Sequence, residues 1–382
     1  MTLTATKLGI WAVNDVYRKM LNACWTYDAS GDGPAPGTLW AWGEGSAGRL
    51  GDGTTIDKSS PVQIPGTSWN DIAGGRDFSL ARKSDGTLWA WGCGCGGQLG
   101  DGTLEVPKSS PIQVPGNSWN DIAAGINHSL ARKTDGTLWA WGVGTYGRLG
   151  NESIASRSSP IQIPGTSWND IAGGNSHSLA RKTDGTLWAW GLNYAGQLGD
   201  GTRIDKSSPI QIPGTSWNDV SAGRFHALAR KTDGTLWAWG CNNSGRLGDG
   251  TDVARSSPTQ IPGTTWNDVS GGFIHSLARK TDGTLWTWGI GNYGRLGNNT
   301  TIPRSSPIQI PGTSWNDITT SGTYGLSFAR KTDGTLWAWG YTYSGALGDG
   351  TRIDRSSPVQ IPGTSWIDIA GGYNHSLARK SV

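Results

Sequence analysis

The sequence predicts an all-β protein, a seven-bladed β-propeller of four-stranded blades, on three observations. The phrase DGTLWAWG, or a close variant, occurs seven times in 382 residues, and its first tryptophan recurs every 49 to 51 residues. Turn-forming and aromatic residues dominate the composition, with 60 glycines and 23 tryptophans against four phenylalanines. Hairpin signals recur with the same period, because Asp-Gly joins strand-like segments and glycine adopts positive φ at little cost.

Each repeat contains four segments with strand character, TLWAWG, PIQIPG, WNDIAGG and HSLARK, and TDG joins the last to the next TLWAWG. Blades of a propeller pack face to face, so the apolar residues on both faces of LWAW predict a strand buried on both sides. Three tryptophans per repeat account for 21 of the 23. Burying them would contribute roughly 2 to 3 kcal/mol each to hydrophobic stabilisation.

The two ends of the repeat region predict how the ring closes. The first copy, GTLWAWG from Gly37, follows Pro36 and has no HSLARK segment before it, whereas the chain ends on HSLARKSV. We therefore expect residues 376–380 to pair with residues 38–43 without a covalent turn, so that no sheet edge is left exposed. This assigns residues 37–382 to the propeller and residues 1–36 to a separate N-terminal segment.

The motifs AGGxxHSLA, DGTLWAWG, GRLGDGT and SSPxQI closely resemble the repeat of the regulator of chromosome condensation family across residues 37–382. The resemblance implies the seven-bladed fold. Members of that family include a nucleotide exchange factor acting on a small GTPase, plant photoreceptors with tryptophan clusters, and a bacterial β-lactamase-inhibiting propeller, so the fold does not fix a function. Only scaffold positions match, and no exchange-factor contact residues carry over. The tryptophans recur in every blade, which indicates a scaffold role.

Residues 1–36 are unlike the repeat and predict a docking or anchor segment. Asn14 can cap a short helix in which apolar side chains recur at helical spacing. The segment is too small for a core of its own, so we expect it to pack on the propeller or dock into another protein. Its pattern GIWxVxxxY, from Gly9 to Tyr17, resembles N-terminal peptides of bacteriophage tail and adhesin proteins. The expected docking residues are Trp11, Val13, Tyr17, Met20, Leu21 and Trp25.

Three sites vary among the copies: the residues after WG, those before SSP, and those before SLAR, whereas RKTDGT and IPGTSWND barely change. In an up-and-down blade, all three variable sites lie on one face. Amphipathic aromatics at loop positions are typical of interfaces, so we predict a binding surface there; neutral variation in exposed loops is the alternative. One copy carries a two-residue insertion and is the first candidate for a specificity element. The expected binding residues are Tyr146, Tyr194, Phe225, Phe273, Tyr293, Tyr324, Tyr341, Tyr343 and Tyr373.

Charge and cysteine content limit the partners. A net charge of +3 without charged runs predicts no nucleic-acid binding. No stretch of ~20 apolar residues is present, so we expect no membrane insertion. All four cysteines are expected to be free thiols, because Cys93 and Cys95 lie too close along an extended chain to pair easily.

The recurring polar residues predict structural roles. The five histidines occupy equivalent positions in different blades, too far apart to share one ion. The aspartate of GDGT, such as Asp52, predicts a turn, since a calcium loop would need more acidic ligands. No nucleophile lies beside a base and no isolated carboxylate pair occurs, so we expect no catalysis, no cofactor and no metal.

Together these features predict a non-enzymatic bacteriophage virion protein that attaches to other virion proteins through residues 1–36. Its variable face would bind a host-surface or protein ligand. The alternative is a soluble bacterial interaction propeller or inhibitor, in the cytoplasm or outside the cell, and a nucleotide exchange factor is a third candidate.

Overall fold

The computed structural model describes residues 37–321 and 325–381, which form seven antiparallel blades of four strands each. Blade three shows the order from the ring axis outward. Its inner strand is Trp168–Gly173, its second His177–Lys182, its third Leu187–Gly191 and its outer Lys206–Gln211. Blades are numbered by the order of their inner strands, from the one that begins near Trp69. The predicted fold class is confirmed.

The other blades repeat this pattern with nearly constant lengths. Further inner strands are Trp119–Ala124, Trp217–Ala222, Trp266–Gly271, Trp315–Thr320 and Trp366–Gly371. Further second strands are Phe78–Lys83, His128–Lys133, His226–Lys231, His275–Lys280, Ser327–Lys331 and His375–Lys380. Further third strands are Gly37–Gly43, Leu88–Gly92, Leu138–Gly142, Leu236–Gly240, Leu285–Gly289 and Leu336–Gly340. Further outer strands are Lys108–Val114, Arg157–Ile163, Arg255–Ile261, Arg304–Ile310 and Arg355–Gln360. Short 3₁₀ turns follow five third strands, at Ser46–Gly48, Thr145–Gly147, Asn243–Gly245, Asn292–Gly294 and Tyr343–Gly345.

These turns are the helical segments of the described chain. Within residues 37–321 and 325–381, no helix combines the length and apolarity that crossing a membrane would require.

The predicted seam between the chain ends is confirmed. Thr38 pairs with Lys380, and the register runs without a shift to Gly43 opposite His375. One long strand, Lys58–Gly74, then serves as the outer strand of blade seven and the inner strand of blade one. Because no Asp-Gly turn precedes Gly37, this glycine extends the third strand and pairs with Trp69, so two blades form one seven-stranded sheet.

The three tryptophans of a repeat have different environments. In blade one, Trp69 and Trp91 are buried and their rings meet edge to face at a centroid distance of 6.3 Å. Trp89 is half-buried, and the ammonium of Lys83 lies 4.4 Å from its ring centroid. The expectation that both faces of LWAW are buried is therefore wrong for the first tryptophan, because a lysine stem and its charge cover that ring instead of a neighbouring blade.

Hydrogen bonds from buried side chains join each blade to the next. The indole N–H of Trp91 and the hydroxyl of Ser79, both in blade one, donate to the Arg49 carbonyl of blade seven at 2.9 Å. Other junctions repeat this arrangement, for example Trp190 and Ser178 on the Arg148 carbonyl. The GRLGDGT motif thus presents a carbonyl to its neighbour in a core that excludes water, where an unpaired carbonyl would be costly.

Candidate binding face

The strand order places the variable segments at one end of every blade. In blade three, Gly173 pairs with Ser178 and His177 with Gly191, so residues 174–176 and 192–205 leave the sheet at the same end. We call this end of the propeller the loop face. The TDG turn at residues 183–186 and the PGTS segment at 213–216 leave at the other end, the turn face. This geometry agrees with the expectation that the three variable sites lie on one face.

Exposed apolar side chains are concentrated on the loop face. Each large hydrophobic side chain that is exposed in the described chain belongs to a loop between a third and an outer strand. These residues are Ile56, Leu104, Val106, Tyr146, Ile154, Tyr194, Ile204, Val253, Tyr293, Ile302, Tyr343 and Ile353. The aliphatic members were missed as site residues, although one or two recur in every copy just before SSP. This recurrence is the sequence signal that could have identified them as site residues.

An aromatic patch covers the loop face at blades five and six. The rings of Tyr293 and Tyr341 meet edge to face at a centroid distance of 4.8 Å, and Arg295 lies 5.4 Å from the Tyr293 ring centroid. Beside them, Tyr343 is 56% exposed. Tyr341 and Tyr343 line an open groove of about 440 Å³, which continues to Arg352 of the same blade. The structure therefore brings these three predicted tyrosines together.

Two predicted tyrosines occupy a strained backbone position. Tyr146 has φ +62° and Tyr293 has φ +61°, both in the middle of a 3₁₀ turn. An aromatic residue is rarely found in this region, which glycine adopts without steric cost. Tyr146 and Tyr293 are nevertheless about half exposed, at 50% and 52%.

The remaining predicted aromatics surround the axis of the ring. A cavity of about 110 Å³ opens there and is lined by Arg76, Arg224, Phe273 and Tyr373 among others. The Arg224 guanidinium lies 4.0 Å from the Phe273 ring centroid and 4.6 Å from that of Phe225. We call this region the axial mouth. Tyr194 connects it to the outer loops through an edge-to-face contact with Phe225 at 5.3 Å.

The AGG segment lets the inner strands meet closely below the mouth. A Cβ at Gly173 would lie 2.6 Å from the Gly125 nitrogen of the neighbouring blade. A Cβ at Gly174 would lie 2.2 Å from the ring of His177, so this second glycine makes room for the buried histidine. Small residues at the end of the inner strand thus set the width of the axial opening.

The histidines lie buried in blade junctions and not among the exposed loops of the loop face. The His375 Nε2 is 2.8 Å from the Ser79 hydroxyl of the next blade, which itself donates to a carbonyl. Because that hydroxyl proton is used, His375 donates through Nε2. Burial, with the nearby Arg49 charge, lowers the His375 pKa to about 3. The ring is therefore neutral at physiological pH, as a structural role requires.

One histidine lacks this partner. His177 is fully buried with its pKa lowered to about 3, chiefly by burial, and neither ring nitrogen has a hydrogen-bond partner among the described residues. The equivalent of Ser79 in the following blade is Ala227, which has no hydroxyl.

A ring of ion pairs lies closer to the turn face. Each inner strand carries an aspartate that pairs with an arginine of the second strand, at N–O distances between 2.9 Å for Asp368 and Arg379 and 3.9 Å for Asp219 and Arg230. Burial raises the Asp71 pKa to about 7 despite the opposing arginine charge. Sequence reasoning missed this ring because WND and LARK each recur as separate scaffold motifs.

The predicted GDGT turn is present. The Thr54 backbone N–H and hydroxyl both donate to Asp52, at 2.9 and 2.8 Å. Across residues 37–321 and 325–381, no group of three or more His, Cys, Asp or Glu side chains is arranged to hold a metal ion.

The expectation that Cys93 and Cys95 are free thiols is wrong, because these two cysteines form a disulfide. The chain is not extended there: it leaves the third strand at Gly92 and turns, which brings the two Cα atoms to 5.6 Å. This separation lies within the ordinary disulfide range. Cys241 has a free thiol.

Some predicted site residues lie outside the described residues. They are Tyr324 of the inserted turn and the docking residues Trp11, Val13, Tyr17, Met20, Leu21 and Trp25.

Comparison with known proteins identifies the repeat. The family model of the regulator of chromosome condensation (RCC1) repeat matches residues 36–82, 85–132, 135–181, 184–230, 233–279, 282–322 and 333–379. A search of curated proteins finds no match.

Solved structures share the fold at low sequence identity. Prp20p from Saccharomyces cerevisiae, described with its binding to Gsp1p and histones, is 23% identical with a TM-score of 0.83 over 91% of this chain and 92% of that chain. Yeast RCC1 (Prp20) bound to Kap60 is 22% identical with a TM-score of 0.83, over 100% of this chain and 94% of that one. Human WBSCR16 is 21% identical with a TM-score of 0.82, over 90% and 99%. With seven tandem matches along nearly its whole propeller, the chain belongs to the regulator of chromosome condensation (RCC1) repeat family.

Proposed function

We propose that this chain is a protein-binding propeller that holds its partner on the loop face. One observation carries the proposal: the exposed large hydrophobic side chains of the described residues all lie in loops of that face. Exposed apolar groups gathered on one side of a protein are typical of interaction sites, and tyrosine is among the residues enriched there. The turn face presents Asp-Gly turns and PGTS segments and lacks such groups among the described residues.

Two further features support this proposal. Tyr146 and Tyr293 occupy backbone positions that disfavour aromatic residues, although their rings are half exposed. Strain of this kind often accompanies a functional constraint. Solved relatives with the same fold are described with protein partners, namely Gsp1p and histones for one and Kap60 for another.

We also propose that the chain acts by binding and not by catalysis. The residues that recur with catalytic potential are engaged in the scaffold. His375 donates to a serine, and Asp368 pairs with Arg379.

Photo-crosslinking tests the loop-face proposal. A photoreactive side chain at Ile204, which is 65% exposed on the loop face, should crosslink a specific protein in extracts of the source organism. The same side chain at Thr166, exposed on the turn face, should give no such product.

The purified partner then allows a quantitative comparison. We expect Tyr343→Ala combined with Ile353→Ala to weaken its binding at least tenfold, because both side chains are more than half exposed on the loop face. Thr166→Ala is the matched control and should leave the affinity unchanged. Equal affinities of the parent and the double variant, with crosslinks from Thr166, would overturn the proposal.

A finer hypothesis places the chain in a bacteriophage virion. The pattern GIWxVxxxY in residues 9–17 supports it. In this hypothesis, residues 1–36 attach to other virion proteins and the loop face contacts a host-surface ligand. Deleting residues 1–30 should abolish incorporation into particles and leave the melting temperature of the propeller unchanged. Loss of the folded propeller, or a gene neighbourhood without capsid or tail genes, would contradict the hypothesis.

A further inference from the structure

Among the described residues, the axial mouth contains an arginine, Arg224, without an acidic partner. Among the described residues, the strongest influences on the Arg224 charge come from the phenols of Tyr194 and Tyr373 and from the Cys241 thiol, and another arginine, Arg246, is near enough to interact with it. No carboxylate is among them. The Arg224 Nε is buried, and the described part of the chain gives it no hydrogen-bond acceptor. A partly buried cation without a counter-charge is unfavourable, so a ligand that supplies one would gain affinity.

Two phenylalanines hold this guanidinium in place. Its central carbon lies 4.0 Å from the ring centroid of Phe273 and 4.6 Å from that of Phe225. Stacking on aromatic faces orients the planar group. Because Nε is buried, the edge formed by the two terminal nitrogens is the one that can meet a ligand in the cavity. That edge fits a carboxylate through two parallel hydrogen bonds.

Blade one provides an internal comparison. Arg76 occupies the position equivalent to Arg224, and its Nε lies 3.4 Å from the carboxylate of Asp77. The position equivalent to Asp77 in blade four is Phe225. The same backbone site thus carries its own carboxylate in blade one and an aromatic platform in blade four.

The cavity beside Arg224 can admit a ligand. Its volume of about 110 Å³ is open to solvent on the loop face and exceeds that of several water molecules. Asn175 lines it together with Arg224, and its side-chain amide is a further polar group.

We propose that the axial mouth binds a carboxylate group, which Arg224 holds in a bidentate ion pair. The inference rests on the proposed function of the loop face and names the chemistry that the partner offers there. The carboxylate belongs either to an acidic side chain that a protein partner inserts along the axis or to a free small acid.

Calorimetric titration of the full chain at low ionic strength tests the inference with two probes. One probe is glutarate, and the other is the capped peptide Gly-Gly-Glu-Gly-Gly, with its Glu→Gln analogue as control. We expect the parent to bind at least one carboxylate probe and to bind the analogue at least tenfold more weakly than the peptide, or not at all. A peptide that binds more tightly than glutarate indicates a partner side chain, and the reverse order indicates a free acid.

Two variants locate the binding. The Arg224→Asn variant should bind the probe at least tenfold more weakly than the parent. It should still fold, because Asn175 occupies the equivalent position of blade three. The Arg224→Lys variant keeps the positive charge but lacks the planar guanidinium, so it should bind the probe at least threefold more weakly than the parent. Arg203→Gln, an exposed arginine of an outer loop, is the control and should bind as the parent does.

Failure of this inference is distinguishable from failure of the proposed function. If the parent binds neither carboxylate, or if Arg224→Asn binds as tightly as the parent, the carboxylate site is overturned. The proposal that the loop face binds a protein is still supported if the double variant Tyr343→Ala with Ile353→Ala binds the crosslinked partner more weakly than the parent. If that double variant and the Arg224 variants all bind the partner normally, the loop-face function fails too, even where glutarate binds.

Discussion

At the scale of single residues, repetition supplies its own controls. Equivalent positions share a backbone environment, so a deviation in one blade shows what the common residue contributes. Ser276 accepts from His226 at 3.0 Å and donates to the Arg246 carbonyl at 2.8 Å. Ala227 can do neither, and within residues 37–321 and 325–381 the two buried ring nitrogens of His177 have no hydrogen-bond partner.

Ala227→Ser should therefore stabilise the protein. The new hydroxyl can accept from His177 and donate to the Gln197 carbonyl, as serine does at the other junctions that contain a histidine, and we expect a gain of about 1 kcal/mol in the free energy of unfolding. Ser276→Ala is the reverse change and should cost about 1 to 3 kcal/mol. Chemical unfolding measures both. A destabilised Ala227→Ser would show that the junction has no room for the hydroxyl.

Histidine burial makes stability depend on pH. The His375 pKa falls from 6.5 to about 3 on folding, so the unfolded chain binds more protons between these values. Stability is therefore fully present above pH 6.5 and decreases as pH falls towards 3. His375→Phe introduces the residue that blade one carries at the equivalent position, Phe78. This variant should remove the loss of stability that His375 causes at low pH, which is on the order of 2 kcal/mol at pH 5.

Melting temperatures of parent and variant between pH 7.5 and 4.5 provide the test. We expect the melting temperature of the variant to rise relative to that of the parent as pH falls. The aspartate ring opposes the trend in both proteins, because the raised Asp71 pKa makes stability fall as pH rises from about 4 to 7. This common effect cancels in the difference. Parallel curves would contradict a buried neutral His375.

At the scale of elements, the turns of the two faces differ in what constrains them. The turn face repeats one solution: Asp135 accepts from the Thr137 N–H at 2.9 Å, and Gly136 has φ +77°. The loop face keeps GRLGDGT, with few changes, as a frame and varies in the residues before and after it. Variation is tolerated there because the blade contacts are made by the backbone carbonyl of Arg49 and its equivalents, whatever the side chain.

Gly136→Ala should destabilise the protein by about 1 to 2 kcal/mol, because an L-residue is strained at positive φ. The added Cβ would also lie 3.2 Å from the Ser167 nitrogen. Thr166→Ala, in the neighbouring segment of the same face, should change the free energy of unfolding by less than about 0.5 kcal/mol. Denaturant midpoints compare the two, and an unchanged midpoint for Gly136→Ala would mean that the turn relaxes without cost.

At the scale of the whole molecule, the ring is stabilised by closure at a junction without a covalent turn. Third strand Gly37–Gly43 pairs with His375–Lys380 through an unbroken register. This pairing completes blade seven and leaves no edge strand between blades seven and one.

Deleting residues 375–382 should therefore abolish cooperative unfolding of the propeller, because it removes the second strand of blade seven. The inner strand then loses its partner, and the third strand stays paired only with the outer strand. Deleting only residues 381–382 is the control and should change the melting temperature by a few degrees at most. Calorimetry distinguishes the two variants. A sharp transition in the longer deletion would show that six blades are stable without closure.

Sequence alone determined the blade number, the four strands of each blade, the seam at Gly37 and the face that carries the variable loops. Each of these follows from local periodicity and from the antiparallel order that hairpin turns enforce. Only the tertiary structure decided the disulfide of Cys93 and Cys95, the lysine cover on the first tryptophans, the aspartate–arginine ring and the position of Arg224, which pairs with no carboxylate among the described residues. These features depend on distances across loops and between blades, and a repeat pattern encodes which residues recur but not which of them meet.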